Sequence, residues 1–218
     1  MTEQRTVQVT GAGLLKLKPD LCRVQLTLQG LERSYADALS RASRDSASLA
    51  DAIAAPGFRR DELKTLDFSV DTEYESVQDD KGHWRQEFRG YRFTQSLLLE
   101  FPVDNALLGR TLAALAAAPV DPEFHLSYGL RDPESAKAAL LEAAVADARR
   151  KAELLTAAAG EKLGSLLHID YSMAEIRLHT APMAKAMLSR NESAAFDMEF
   201  TPEDIRAQDT VTLVWAIA

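Results

Sequence analysis

Between Asp132 and Tyr171 the chain changes its hydrophobic period once, and a glycine marks the change. Asp132 has the side chain of an N-cap, and Pro133 suits the first helical position, where its missing N–H costs nothing. Ala138, Leu141, Val145, Ala148, Ala152, Leu155 and Ala159 then step by three and four, which predicts one face of a long helix. Asp147 to Lys151 and Arg149 to Glu153 are i,i+4 pairs on its other faces. Gly160 falls where a left-handed residue is wanted after the last turn, and Leu163 to Tyr171 reads as a strand. The stripe is half alanine, so the helix can lie close to its cover; a sheet face is the expected one, with a partner helix as the alternative.

The remaining segments supply strands for such a sheet. Val7, Val9, Leu15 and Leu17 share a parity, with Gly11 and Gly13 between them, which predicts an extended segment with a bend or bulge at the glycines. After Pro19-Asp20, the residues Cys22, Val24, Leu26 and Leu28 alternate with polar ones, so the two segments are expected to form a hairpin. Ser34 caps a helix with Tyr35, Leu39, Ala42, Ser46, Leu49 and Ile53 on one stripe. Leu66, Phe68 and Val70 begin a strand running to Val77, "QDDKGH" turns the chain with Gly82 at positive φ, and Tyr91, Phe93, Leu97, Leu99 and Phe101 lie on the return strand. This second hairpin is long enough for its tip, near Trp84, to project. A short alanine-rich helix at 104–118 precedes a strand holding Phe124, Leu126, Tyr128 and Leu130, and "TVTLVWAIA" closes the chain as a strand. Only residues 172–203 lose the pattern; they read as a long loop or insertion.

Composition limits the partners. At 218 residues, 46% apolar and 27% charged, the chain is that of a folded protein with a sizeable core. A net charge of −8 argues against nucleic acid, because phosphate binding needs clustered cations. The nearest cluster, Arg149, Arg150 and Lys151, interleaves with Asp147 and Glu153. No run approaches the ~18 apolar residues that span a bilayer as a helix. One cysteine excludes an internal disulfide, and no basic and apolar leader opens the chain, so the expected location is the cytoplasm, unless the native start lies upstream.

No motif for chemistry emerges. His83, His125, His168 and His179 form no i,i+4 pair, so no helical zinc site is expected. His168 and Asp170 share a strand face and could orient a base, but no nucleophile accompanies them. "GAG" at 11–13 lacks the third glycine and following helix of a phosphate cradle. Cys22 lies on an apolar parity and reads as a small core residue. Five carboxylates between Asp71 and Asp80 lack calcium-loop spacing and read as a solvated hairpin edge. Asn191-Glu192-Ser193 is a formal glycosylation sequon, without meaning in a cytosolic chain. Met183 and Met187 could make an adaptable apolar contact in the loop. No catalytic, cofactor-binding or metal-binding residue is nominated.

Four stretches together resemble the SIMPL-domain family: "VTGAGLLKLKPDLCRVQLTL", "GYRFTQSLLLEF", "AVADARRKAELLTAAAGEKLGSLLHI" and "IRAQDTVTLVWAI". The resemblance implies a single α+β domain over 1–218, with a mostly antiparallel sheet, two long helices packed on one face and a projecting β-hairpin. It also implies a bacterial protein of a family whose members are often exported and include oligomeric assemblies; it supplies no catalytic residue. Glu203 stands where the family pattern suggests glycine after Pro202. The expectation is a non-enzymatic interaction or assembly protein, a homo-oligomer or the binder of a protein partner, with no cofactor. The competing expectation is a small-molecule-binding domain or a hydrolase whose site forms only in the fold.

Overall fold

A computed structural model describes residues 5–79, 82–172 and 200–218. The elements in chain order are β1 (Thr6–Leu17), β2 (Leu21–Glu32), α1 (Tyr35–Ala52), β3 (Lys64–Gln78), β4 (Trp84–Pro102), α2 (Asn105–Ala116), β5 (Glu123–Gly129), α3 (Pro133–Ala158), β6 (Leu163–Asp170) and β7 (Ile205–Ile217), with a single 3-10 turn at Arg60–Glu62. This is an α+β architecture built on two antiparallel sheets, and the chain folds as two compact units.

The first unit holds the sheet β1-β7-β6 and α3. The helix starts and stops as its residues dictate: Asp132 accepts from Ser135 N at 2.9 Å, Pro133 follows, and Gly160 takes φ +77°. Its buried stripe differs from the expected one. Leu140, Ala144, Ala148, Ala152 and Thr156 face the sheet, whereas Val145 and Leu155 are 39% and 53% exposed. The reason lies on β1. A Cβ added to Gly11 would sit 2.1 Å from Ala144 O, and one added to Gly13 would sit 2.0 Å from Leu140 O. The helix backbone therefore rests on the strand backbone, and the face that fits there is the one carrying alanines four apart. The β1–β7 register runs without a break from Thr6↔Ala216 to Leu17↔Ile205, so the two glycines mark a close approach and not the expected bulge.

The expected hairpin of β1 with β2 does not form either. β1 pairs with β7, and β2 pairs with β4 in the other sheet. Asp20, in the intended turn, instead donates its N–H to Gly129 O at 3.1 Å and accepts from Arg131 N at 2.8 Å, which commits the backbone at Pro19-Asp20 to a long-range contact.

The second unit holds the sheet β3-β4-β2-β5 with α1 and α2. Cys22, Val24, Leu26 and Leu28 of β2 and Phe93, Leu97, Leu99 and Phe101 of β4 form one buried face, as their alternation predicts. Ala38, Ala42 and Leu49 of α1, with Ile53 just past its end, pack in this core, as do Leu108, Leu112 and Leu115 of α2. Each fully buried leucine or phenylalanine there contributes about 1.5–3 kcal/mol. Tyr35 and Leu39, expected on the covered stripe, are exposed at its rim. β4 pairs with β2 only from Tyr91 onward, so the β3–β4 ribbon from Glu73 and Gly90 to its tip stands beyond β2 as the expected projecting hairpin. Gly82 turns that tip at φ +81°.

Candidate functional site

The two edges of the first sheet are unlike one another. Along β1, Asp147 of α3 accepts from Ala12 N at 3.0 Å, and Lys151, one turn on, donates to Thr10 O at 3.2 Å. Ala12 and Thr10 share a parity, so these are the backbone groups that point away from β7. The i,i+4 pair read from the sequence is present at 2.7 Å, and it also occupies the edge of β1. Arg150 and Lys151 together with Ala12 N–H hold the Asp147 carboxyl well below the usual carboxylate range; Lys151 is the largest cause.

At β6 nothing comparable happens among the described residues. β7 pairs with one side of this strand, and no described element pairs with the other. Leu166, Leu167 and Ile169 are 46%, 43% and 55% exposed. Ile169 lies opposite Leu213 and so shares the face that α3 covers farther along the sheet, while His168 and Asp170, opposite Val214 and Thr212, lie on the reverse face. Register shifts fall between Leu163 and Leu166 and between Leu166 and His168, leaving His168–Asp170 as the regular part. The strand's end is anchored next to this run. Tyr171 donates its hydroxyl to the buried Asp209 at 2.8 Å, and this bond raises the phenol's pKa.

A second feature is the ribbon. Tyr35, Tyr91, Phe88 and Tyr74 form a chain of edge-to-face rings with centroids 5.4–5.8 Å apart. Trp84 near the tip is exposed. The acidic run on β3 is met across the ribbon: Arg92 takes Glu73, Arg89 takes Glu75 at 3.1 Å, and His83 approaches Asp79 at 3.5 Å. The Arg92 hydrogen bonds hold the Glu73 carboxyl below its ordinary range. A third feature is an open cavity of about 280 Å³ lined by Leu39, Ala42, Ser43, Ser46, Phe68 and Gln95. Gln95 is 9% exposed, and its amide reaches Ser46 Oγ only at 3.5 Å.

The three described histidines lie on different segments of the fold. His83 is on the ribbon, His168 on β6, and His125 on β5, where its Nδ1 is buried without a hydrogen-bond partner among the described residues. His168 and Asp170 share a face as expected, both exposed. Burial pushes the Cys22 thiol up to about 12, which fits a core role. Among the described residues no three His, Cys, Asp or Glu side chains converge as a metal site, and no helix is long and apolar enough to cross a membrane. His179, Met183, Met187, the sequon at Asn191 and most of the 172–203 loop lie outside the described residues. Sequence reasoning did not single out β6 as the strand with an edge that no described element pairs, because leucine and isoleucine on both parities read the same inside a sheet as at its border.

Comparison with curated proteins gives no match. The family model SIMPL, described as a protein of unknown function (DUF541), matches residues 7–215, nearly the whole chain. The match takes in α3, the long ribbon and all but the outermost residues of β1 and β7, and the chain belongs to the SIMPL family.

Proposed function

We propose that this protein is a non-enzymatic assembly module that works by associating with copies of itself. The observation that carries the reading is the inequality of the two sheet edges. One is occupied by Asp147 and Lys151, while the other, paired by no described element, presents leucine and isoleucine beside backbone donors and acceptors. An exposed apolar edge is a template for strand addition, and proteins that must remain monomeric blunt such edges with charge, proline or a covering element. The one cysteine is buried, so assembly of this kind would be indifferent to the redox state of its surroundings. Size-exclusion chromatography with light scattering, from low to high micromolar protein, tests the reading. A mass above that of one chain, rising with concentration, is expected; a strict monomer throughout would overturn it.

A second reading, a small-molecule-binding domain, is favoured by the cavity over Gln95. A nine-tenths buried amide with one long contact suits a ligand that carries a hydrogen-bonding group. The cavity contains neither His125 nor His168. A thermal-shift screen with small amides and carboxylic acids tests it, and no shift in the intact protein with any of them would count against it.

A further inference from the structure

We propose that two copies join through β6, antiparallel about a two-fold axis at Ile169, so that His168 of each copy lies opposite Asp170 of the other. The proposal rests on the self-association reading and adds the surface, the partner strand and the register. Joined this way, the two three-stranded sheets become one continuous sheet, β1-β7-β6 followed by β6-β7-β1 of the second copy.

Within this sheet β6 is the edge that remains among the described residues, because α3 side chains already occupy β1. The register follows from geometry and charge. A two-fold axis normal to a sheet keeps each side chain on its own face, so it must pass through a pair of identical residues. Centres at Leu167, His168 and Ile169 each keep the regular run His168–Asp170 within the pairing. Centring on Leu167 places Leu166 opposite His168 and Gly164 opposite Asp170, and draws the pairing across both register shifts, where a strand bends and its edge groups lose alignment. Centring on His168 sets imidazole against imidazole and puts Leu166 opposite the Asp170 carboxylate. Centring on Ile169 uses the regular run His168–Asp170, sets isoleucine against isoleucine on the α3 face, and forms two His168–Asp170 pairs on the reverse face. Leu167 then meets Tyr171, whose ring is held in place by Asp209. Of these three registers, only this one gives both His168 and Asp170 a partner of complementary chemistry.

The same geometry supplies the test. Residues directly opposite in an antiparallel pair have Cα atoms about 4.5–5.5 Å apart, within the range a disulfide bridges. Ile169→Cys is therefore expected to form a covalent dimer under mild oxidation, at concentrations where light scattering already shows association. Leu167→Cys is not, because its own mate lies four residues along the strand, about 14 Å away. Cys22 is buried and serves as a silent background.

In reducing buffer, His168→Asp sets carboxylates against carboxylates and is expected to weaken dimerisation by about tenfold. The exchange His168→Asp with Asp170→His restores it, which a merely structural effect of either substitution would not produce. Both positions are exposed, so circular dichroism should match the parent. Equal crosslinking at 167 and 169, or no rescue by the exchange, would overturn the register. A parent that self-associates while Ile169→Cys never crosslinks would overturn the β6 interface and leave the assembly reading intact. A monomeric parent would remove both.

Discussion

Replacing Gly11 with alanine sets two effects of opposite sign against each other. Its φ is not in the left-handed region, so as an isolated strand residue alanine would be better by about 0.5–1 kcal/mol. The added methyl, however, would lie 2.1 Å from Ala144 O, 2.5 Å from Ala148 N and 2.6 Å from Ala148 Cβ. Restoring ordinary carbon–oxygen contact requires α3 to retreat from β1 by about 1 Å. That displacement also stretches the Asp147–Ala12 and Lys151–Thr10 bonds, now 3.0 and 3.2 Å, past useful hydrogen-bond length. Overpacking costs about 1–3 kcal/mol, and a clash against helix backbone belongs at the upper end. Subtracting the propensity gain leaves Gly11→Ala destabilised by about 2 kcal/mol, or a melting temperature lower by about 4–8 °C. Urea denaturation followed through the buried Trp215 reports on this unit. Adding Ala148→Gly should restore little, because the nearest obstacle is a main-chain oxygen. A Gly11→Ala protein as stable as its parent would refute the close backbone contact.

Other outcomes follow from local features. The Asp147 carboxyl is held below its unfolded pKa of about 3.9, so its contribution to stability is complete above that pH and lost as the pH falls below it. The stability gap between the parent and Asp147→Asn, measured by denaturation, should accordingly shrink from pH 6 towards pH 3. Cys22, with its pKa near 12, should resist a colorimetric thiol reagent at pH 8 and titrate as one thiol in denaturant. Asp132→Ala removes the bond to Ser135 N and should cost about 1 kcal/mol in urea. Gly160→Ala forces a Cβ into φ +77°, costing about 1–2 kcal/mol with no clash, since nothing lies within 4 Å.

What could be read from the residues was whatever depends on near neighbours. The caps at Ser34 and Asp132, the stop at Gly160, the turn at Gly82 and the buried parity of β2 and β4 all rest on interactions a few residues apart. Pairing across the chain was not legible in the same way. Thr6 meets Ala216, and nothing in either segment names the other, so β1 was assigned to its sequence neighbour β2. The glycines of β1 announced an exception, but whether to a bulge or to a helix resting on the strand depended on α3. Asp147 was visible as half of an i,i+4 pair; its bond to Ala12 spans 135 residues and had no local sign. The same limit hid the open edge of β6, since an apolar strand looks alike at the centre of a sheet and at its border.

The clasp of Asp147 and Lys151 on β1 also fixes how far this sheet could grow by edge pairing. A subunit with two open borders can add neighbours without end and form a fibre. With one border held by its own helix, the sheet keeps one border that no described element pairs, and the proposed joining at β6 would use it up. If copies join at β6 as proposed, breaking the clasp would do more than loosen a helix: it would give this sheet a second border to pair.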